Sequence, residues 1–228
     1  MSAESALPEL CDRVLIGLGV PHGFGQKGSQ VPENAQFMTQ VHGIAVHSIL
    51  PSSGDGAAAE LVQADAVYTR ERGCFVGVVT ADCVPILVSD LAGEQVVAIH
   101  AGWRGLAAGV IEAGVAALSG PVEELAAAVG PSARGCCYEV DAPVRNGLER
   151  RYATHLGEVF QPGRAGHYQL DLPLLATHVL EGLGIPSPQI GVENRLCTVC
   201  NPDRFESYRR DGADAGRLRH FIGPKGSE

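Results

Sequence analysis

The chain has 228 residues, of which 45% are hydrophobic and 19% are charged, so it can bury a sizeable core and extensive disorder is not expected. Its formal net charge of −9 argues against nucleic acid as a partner, because phosphate neutralisation needs a basic surface. The same charge gives no attraction to an anionic membrane. We therefore predict a single domain over residues 1–228, with neither nucleic acid nor membrane as a partner.

The cysteine content and the N-terminal sequence indicate the compartment. Seven cysteines are an odd number, and they include the adjacent pair Cys136–Cys137, which does not resemble a secreted disulfide framework. Residues 1–10 lack the basic start of a signal peptide, and no apolar run approaches the roughly 20 residues that span a bilayer. These features predict a cytoplasmic protein with reduced thiols.

Strand-like and helix-like segments alternate along the chain. Apolar patterns predict strands over Val14–Leu18, Val41–Leu50, Ala64–Thr69, Cys74–Val79, Leu125–Val129 and Arg217–Ile222. Helices are predicted over Leu106–Leu118, Asp141–His155 and Leu170–Leu183, and loops over 23–33 and 51–59. Cys74–Val79 is apolar at successive positions, which indicates a buried central strand. The order favours an α+β fold, a mixed sheet with antiparallel hairpins and packed helices, over a doubly wound parallel sheet.

A predicted hairpin brings a cysteine and a histidine together. The apolar strands within 83–100 flank a turn that contains Asp90 and Gly93. If Asp90 pairs with Gly93 across a two-residue loop, Cys83 lies opposite His100, with the Cβ atoms roughly 4.5–5.5 Å apart. A thiolate and an imidazole at that separation can bind the same metal ion.

A third metal ligand is available upstream, at His42 in the segment Gln40–Gly43. Two nitrogens, one sulfur and an open fourth position are typical of a catalytic zinc, because structural zinc sites normally have four protein ligands. Two other interpretations stay open: Cys83 as a small buried apolar residue, and Cys83 as a nucleophile with His100 as its base. Cys83, His100 and Asp82 are the expected catalytic residues, and Asp82 is the acidic residue nearest to the three predicted metal ligands in sequence.

The segment after His100 has features of an anion and ring-binding site. Gly102–Gly105 opens the Ala-rich helix, where the helix N-terminus and Arg104 favour phosphate, although an ordinary turn with a solvated arginine fits as well. Trp103, the only tryptophan, fits either stacking on a flat ring or core packing. Ser207–Gly212, which contains Arg209 and Arg210, is either a salt-bridged loop or part of a substrate pocket.

The remaining cysteines carry weaker signals. Cys197 and Cys200 have the spacing of half a zinc ribbon, but the chain has no second Cys-x-x-Cys, so a ribbon is not predicted. A redox role is not favoured, because a thioredoxin-like context is missing. We expect packing roles for Cys136 and Cys137, and no role in activity for these four cysteines.

Taken together, the motifs resemble those of the laccase-domain or YfiH-like family, also called multicopper polyphenol oxidases and regarded as zinc-dependent purine nucleoside phosphorylases. The matching stretches are Gln40–Gly43, Ala64–Thr69, Thr80–Leu87, Ile99–Leu106, Gly130–Val140, Cys197–Thr198 and Ser207–Gly212. The family's three metal ligands correspond to His42, Cys83 and His100. The sequence departs from the family after residues 22–24, where a Gly-rich turn and a longer Asn-containing segment are shortened.

The resemblance implies a fold similar to that of cysteine-hydrolase-like toxins. It also implies phosphorolysis of adenosine, inosine and methylthioadenosine, with adenosine deamination as a side activity and nucleoside and phosphate as small-molecule partners of a monomer or homodimer. Zinc is the expected cofactor and would act as Lewis acid or water activator. Copper polyphenol oxidation is less favoured, because the chain has eight histidines and no His-x-His pair. A Cys–His amidase on a cell-wall precursor and a non-catalytic metal-binding module remain open.

Overall fold

Helices cover mixed β-sheets in the structure. It is a computed structural model that describes residues 10–49, 62–192 and 194–227. The strands are β1 (His22–Gly23), β2 (Ala35–Phe37), β3 (Val46–Ile49), β4 (Ala66–Thr69), β5 (Phe75–Thr80), β6 (Val84–Asp90), β7 (Val96–Ala101), β8 (Leu125–Val129), β9 (Glu139–Asp141), β10 (Phe160–Pro162), β11 (His167–Leu170), β12 (Ile190–Gly191) and β13 (Leu218–Ile222). The helices are α1 (Arg13–Leu18), α2 (Trp103–Ala108), α3 (Val110–Val115), α4 (Ala142–Tyr152), α5 (Leu156–Val159), α6 (Leu172–Leu183) and α7 (Tyr208–Asp211). Among the described residues, no helix has the length and apolar character of a membrane span.

Three sheets are present in the described part of the chain. The six-stranded sheet has the order β12-β8-β6-β7-β4-β3, the four-stranded sheet β1-β13-β5-β2, and a small sheet β10-β11-β9. The pairs β3–β4, β2–β5 and β12–β8 are parallel and the other pairs are antiparallel. The predicted α+β class with a mixed sheet is thus confirmed.

The six-stranded sheet is buried on both faces. On β6, Ile86 and Val88 belong to the core that also contains α3 and α6, whereas Leu87 belongs to the core shared with the four-stranded sheet. Successive strand residues point to opposite faces, so this split explains why β6, β7 and β8 have apolar residues at successive positions. The predicted central position of β5 is confirmed by its place between β13 and β2. The larger sheet is therefore a rigid support for residues at its strand ends.

One predicted strand is wrong, because Val14–Leu18 belongs to helix α1. The Asp12 carboxylate accepts a hydrogen bond from the Val14 amide at 2.9 Å and caps the helix. Gly19, with φ at 71°, ends it in the left-handed conformation. Short helices of this kind have too few turns for an apolar period to distinguish them from strands.

The register of the β6–β7 hairpin also differs from the prediction. The ladder pairs Pro85 with His100 and Ser89 with Val96, so Cys83 lies one residue outside the ladder and not opposite His100. The turn is longer than two residues because the Asp90 carboxylate accepts the Glu94 and Gln95 amides, at 2.7 and 3.2 Å. These hydrogen bonds between the Asp90 side chain and the backbone stabilise the longer turn.

The other predicted helices and strands are present, but most of them begin or end at different residues from those predicted. The helix predicted over 106–118 is two short helices, because Gly109 adopts φ of 100° and interrupts it, and the first turn starts at Trp103. The helix predicted over 141–155 runs from Ala142 to Tyr152 and continues as a 3₁₀ turn. The strand predicted over 41–50 is reduced to Val46–Ile49, and the predicted loop at 51–59 lies outside the described residues.

His220 on β13 is buried and neutral in the folded protein. Its Nδ1 accepts the Gly25 amide hydrogen at 3.1 Å, so its proton is on Nε2, which lies 2.8 Å from Thr80 Oγ1. Burial, together with the charge of His100, lowers the pKa of His220 from 6.5 to about 3. As the pH falls, the unfolded chain therefore binds a proton at this residue at pH values where the folded chain does not.

We expect His220 to make the protein less stable as the pH falls below 6.5. From pH 7 to pH 5 its contribution to the free energy of unfolding should decrease by about 2 kcal/mol, because only the unfolded state is protonated in this range. Urea unfolding of the wild type and of His220→Gln at both pH values isolates the effect. An equal pH dependence in the two proteins would contradict it.

Candidate metal centre

Three residues from separate segments meet at one edge of the larger sheet. The imidazole nitrogens of His42 and His100 and the Cys83 sulfur all lie within 4.8 Å of one another. The Cys83 Sγ is 3.8 Å from His42 Nε2, and the two imidazole centroids are 4.9 Å apart. The structure thus brings together the three ligands that the sequence indicated.

The strand ends and a sharp bend position these side chains. His100 is the penultimate residue of β7, and Cys83 immediately precedes β6. Asp82 has φ of 89°, and this left-handed bend directs the chain into β6 just before the cysteine. The bend replaces the direct cross-strand pairing that the sequence predicted. His42 also has a positive φ, of 59°, on the loop before β3.

Gly102 is required by the close approach of these groups. A Cβ atom at this position would lie 2.7 Å from His42 Cδ2 and 3.0 Å from the Cys83 sulfur. Any larger side chain would therefore displace one of the ligands. This packing explains the glycine that follows the His100-Ala101 pair.

Asp65 hydrogen-bonds both the loop that holds His42 and the imidazole of His100. It was not assigned a role from sequence. Its buried carboxylate accepts the amides of Val41, His42 and Gly43 at 3.2, 2.9 and 2.7 Å. The same group bonds His100 Nδ1 at 2.8 Å. One carboxylate thus fixes the loop that holds His42 and leaves the Nε2 atom of His100 facing the site.

The charges of these groups are strongly coupled. Burial opposes ionisation of Cys83, but hydrogen bonds from His100 and His42 outweigh it and lower the pKa of this thiol to about 6. Burial likewise opposes protonation of His100, but its bonds to Asp65 and Cys83 raise the pKa to about 9. Burial of Asp65 is outweighed by His100 and the loop amides, so the pKa of this carboxyl is lowered. A thiolate is therefore present at neutral pH.

This donor set fits a divalent transition metal. Two imidazole nitrogens and a thiolate are good ligands for such ions, and three protein ligands leave one position for a substrate or water. A carboxylate that bonds the other ring nitrogen, as Asp65 bonds His100 Nδ1, is the usual partner of a metal-binding histidine. A cation here would displace the proton shared between Cys83 and His100.

A cavity of about 580 Å³ opens beside the three ligands. Aromatic rings and guanidinium groups line it, those of Trp103, Tyr138, Tyr208, Arg104, Arg209 and Arg217. Arg104 lies 4.4 Å above the Trp103 ring and Arg209 lies 4.8 Å above the Tyr138 ring. Asp82 is the one acidic residue among the lining residues, so the cavity is positively charged in an otherwise acidic protein.

Two predicted site residues have mainly structural contacts. The Asp82 carboxylate accepts Thr198 Oγ1 at 2.5 Å, Ser207 Oγ at 3.0 Å and the Arg209 amide at 2.6 Å. Arg210 does not line the cavity, and its guanidinium donates to the carbonyls of Thr198 and Phe205. Asp82 and Arg210 therefore hold the loop that presents Arg209.

Other cavity residues were missed as functional candidates. Gln40 binds both backbone groups of Val79, at 2.7 and 2.6 Å, and ties the start of the His42 loop to β5. Tyr138 and Arg217 line the cavity without a role assigned from sequence. The only sequence signal for Asp65 was the position of an aspartate at the start of a predicted apolar strand.

The fold agrees with comparisons to known proteins. Residues 25–225 match the family model described as "Multi-copper polyphenol oxidoreductase laccase", and the chain belongs to this YfiH-like family. The Bacillus licheniformis hypothetical protein YfiH superposes with a TM-score of 0.81 at 27% identity, over 90% of this chain and 93% of that one. The structure of YlmD from Geobacillus stearothermophilus gives a TM-score of 0.76 at 31% identity, over 85% and 74%.

Relatives in this family are named for one activity. A protein of Xylella fastidiosa named purine nucleoside phosphorylase is 37% identical over 79% of this chain and 69% of its own length. The purine nucleoside phosphorylase YfiH of Escherichia coli is 35% identical over 84% of this chain and 74% of its own length. These names support a nucleoside phosphorylase-type enzyme.

Cys83→Ala should remove one bound metal ion per chain, because two imidazoles alone form an incomplete site. Elemental analysis of the purified protein measures the loss. Cys74→Ala, which changes another half-buried cysteine away from the centre, is the matched control and should keep its metal. Full metal retention in Cys83→Ala would show that the ion binds elsewhere.

For Asp65→Asn we expect metal affinity to fall by about 10–100-fold, since an amide has one acceptor oxygen and cannot accept all four bonds that orient His42 and His100. Competition with a chromophoric chelator gives the dissociation constant. Asp90→Asn is the control, because Asp90 also accepts two backbone amides but lies at the distant hairpin turn. Unchanged affinity in Asp65→Asn would limit Asp65 to a role in folding.

Proposed function

We propose that the protein is a zinc-dependent purine nucleoside phosphorylase that converts adenosine, inosine and methylthioadenosine to the free base and a ribose 1-phosphate. The observation that supports this most directly is one cavity that combines a three-ligand metal centre, three aromatic rings and three arginines. The names of the relatives support the same reaction class. Deamination of adenosine stays a prediction of the family resemblance, and ammonia release from adenosine would test it.

The reaction transfers the ribosyl group from the base to phosphate. A phosphate oxygen bonds to C1′ while the glycosidic bond breaks, and the bonding pair leaves with the purine, which takes up a proton. Arg104, Arg209 and Arg217 are suited to bind the phosphate, because guanidinium groups form charge-assisted hydrogen bonds with phosphate oxygens. Since α2 has only six residues, the guanidinium groups are the stronger anion ligands.

Trp103 and Tyr138 are suited to hold the purine, since their rings offer flat apolar surfaces with cationic groups alongside. A zinc ion bound by His42, Cys83 and His100 would supply Lewis-acid chemistry beside the substrate. Asp82 contributes indirectly, because its bonds to Ser207 and the Arg209 amide fix the position of Arg209.

Copper oxidation of polyphenols has less support from the ligand arrangement. Reduction of dioxygen by a multicopper enzyme needs several clustered copper sites, which are rich in histidine. The described residues contain two groups of metal-ligating atoms, the one at His42 and a second made of cysteines alone. This favours zinc as the ion at His42.

A Cys–His hydrolase is the second candidate, because Asp65 adds a third member to the dyad. Cys83, His100 and Asp65 form the order of nucleophile, base and orienting carboxylate. His42 distinguishes the two candidates, since a hydrolase has no need of a second imidazole 3.8 Å from the nucleophile. A hydrolase would keep its activity after metal removal, whereas the phosphorylase would lose it.

Base release from inosine should depend on phosphate, and Arg104→Ala should raise the apparent KM for phosphate. Loss of a charge-assisted contact of about 1.5–3 kcal/mol corresponds to roughly 10–150-fold. Hypoxanthine formation over a range of phosphate concentrations measures the effect. Arg150→Ala, an exposed arginine on α4 that does not line the cavity, is the control.

Two results would contradict this prediction. Equal rates of hypoxanthine release with and without phosphate would identify a hydrolase. An unchanged phosphate dependence in Arg104→Ala would place the anion elsewhere, with Arg209 and Arg217 as the next residues to replace.

A further inference from the structure

Four cysteines form a second cluster outside the candidate centre. The sulfurs of Cys136, Cys137, Cys197 and Cys200 all lie within 4.8 Å of one another. The Cys200 sulfur is 3.5 Å from that of Cys136 and 3.1 Å from that of Cys137. Sulfurs at the corners of a tetrahedron around zinc, each about 2.3 Å from the ion, are about 3.8 Å apart. The cluster therefore has the size of a four-thiolate metal site.

Neither packing nor a disulfide accounts for this arrangement. Packing roles were predicted for Cys136 and Cys137; Cys136 is exposed, which contradicts that role, and Cys137 is half-buried. Cys200 is exposed as well. The shortest sulfur–sulfur separation that the contacts give, 3.1 Å, is well above the roughly 2.05 Å of a disulfide. All four cysteines are free thiols.

The backbone around the cluster is held in place by hydrogen bonds. Ser132 donates its amide to the Leu196 carbonyl at 3.0 Å and accepts the Thr198 amide at 3.0 Å, which joins the two cysteine segments. Asn201 Nδ2 donates to the Cys197 carbonyl at 2.8 Å and braces the turn between Cys197 and Cys200. Two strand-like bonds and a braced turn thus bring the four thiols together before any ion binds.

We propose that Cys136, Cys137, Cys197 and Cys200 bind a structural zinc ion. Four thiolates form a closed coordination shell, which is typical of structural and not of catalytic zinc. Soft sulfur ligands in tetrahedral geometry select zinc or iron among the common metals. A Cys-x-x-Cys turn supplies two ligands as in a zinc ribbon, and the adjacent pair Cys136–Cys137 replaces the second turn that the sequence lacks.

The zinc would join two segments that form the wall of the cavity. Tyr138 directly follows Cys137, and the segment after Cys197 reaches Asp82 through the bond from Thr198. Arg210 donates to the carbonyls of Thr198 and Val199, so the loop that carries Arg209 is attached to the same turn. The ion would therefore fix Tyr138 relative to Arg209, whose guanidinium lies over its ring.

Metal counting on matched variants tests the site without any assay of activity. We expect two zinc ions per chain in the wild type purified under reducing conditions. One should remain in Cys136→Ser/Cys200→Ser, which replaces the two exposed thiols, and one in His42→Ala, which disrupts the other centre. Zinc X-ray absorption of His42→Ala should then show four sulfur neighbours at about 2.3 Å.

Three results would overturn the proposal. They are His42→Ala protein without zinc, iron in place of zinc, and Cys136→Ser/Cys200→Ser protein with the zinc content of the wild type. The absorption measurement uses native cysteines, so the proposal is testable even where the serine variant does not fold. Failure of phosphorolysis would not change the zinc content or the sulfur neighbours measured for His42→Ala, because that variant reports on the four-cysteine site alone.

Discussion

A single buried carboxylate holds the candidate centre together. Asp65 immediately precedes β4, accepts three successive amides of the loop at 41–43, and bonds the imidazole of His100. Its charge is stable in the interior because four donors surround it, which offsets the cost of removing it from water. Without this group, His42 has no fixed position and His100 no fixed tautomer. The ligand geometry is therefore a consequence of burying one charge among the right donors.

The support beneath this carboxylate is the six-stranded sheet. Its central strands are buried on both faces, so their ends move little, and the chemically active residues project from those ends. The more exposed contributors, His42, Arg104 and Arg209, are attached to this support by side chain–backbone bonds or short helices. Rigid strand ends thus form one side of the site, and loops and short helices form the other sides.

The sequence predicted the composition of the centre better than its geometry. His42, Cys83 and His100 were identified from motifs and a hairpin, although the actual hairpin turn is longer and the bend at Asp82 brings Cys83 near His100. Asp65 was missed because its partners lie in a loop some twenty residues away, and no local pattern encodes such bonds. Helix α1 was mistaken for a strand because its capping by Asp12 and Gly19 outweighs a short apolar run.

The clustering of the four cysteines could not be inferred in the same way. About sixty residues separate the adjacent pair from the Cys-x-x-Cys turn, and their meeting depends on the hydrogen bonds between Ser132 and the segment 196–198. Spacing rules describe turns that carry two ligands each, so they do not recognise a site in which one pair is adjacent. Tertiary contacts, and not sequence spacing, create this cluster.

His42, Cys83 and His100 are far apart in the sequence, so metal binding by these three residues would be coupled to folding. Because these residues come together only in the folded chain, an ion that binds them stabilises the native state by mass action. At a free concentration one hundred times the dissociation constant this amounts to about 2.7 kcal/mol. A chain without the ion would lack that increment and unfold more often, so metal supply would influence how much of the protein is degraded.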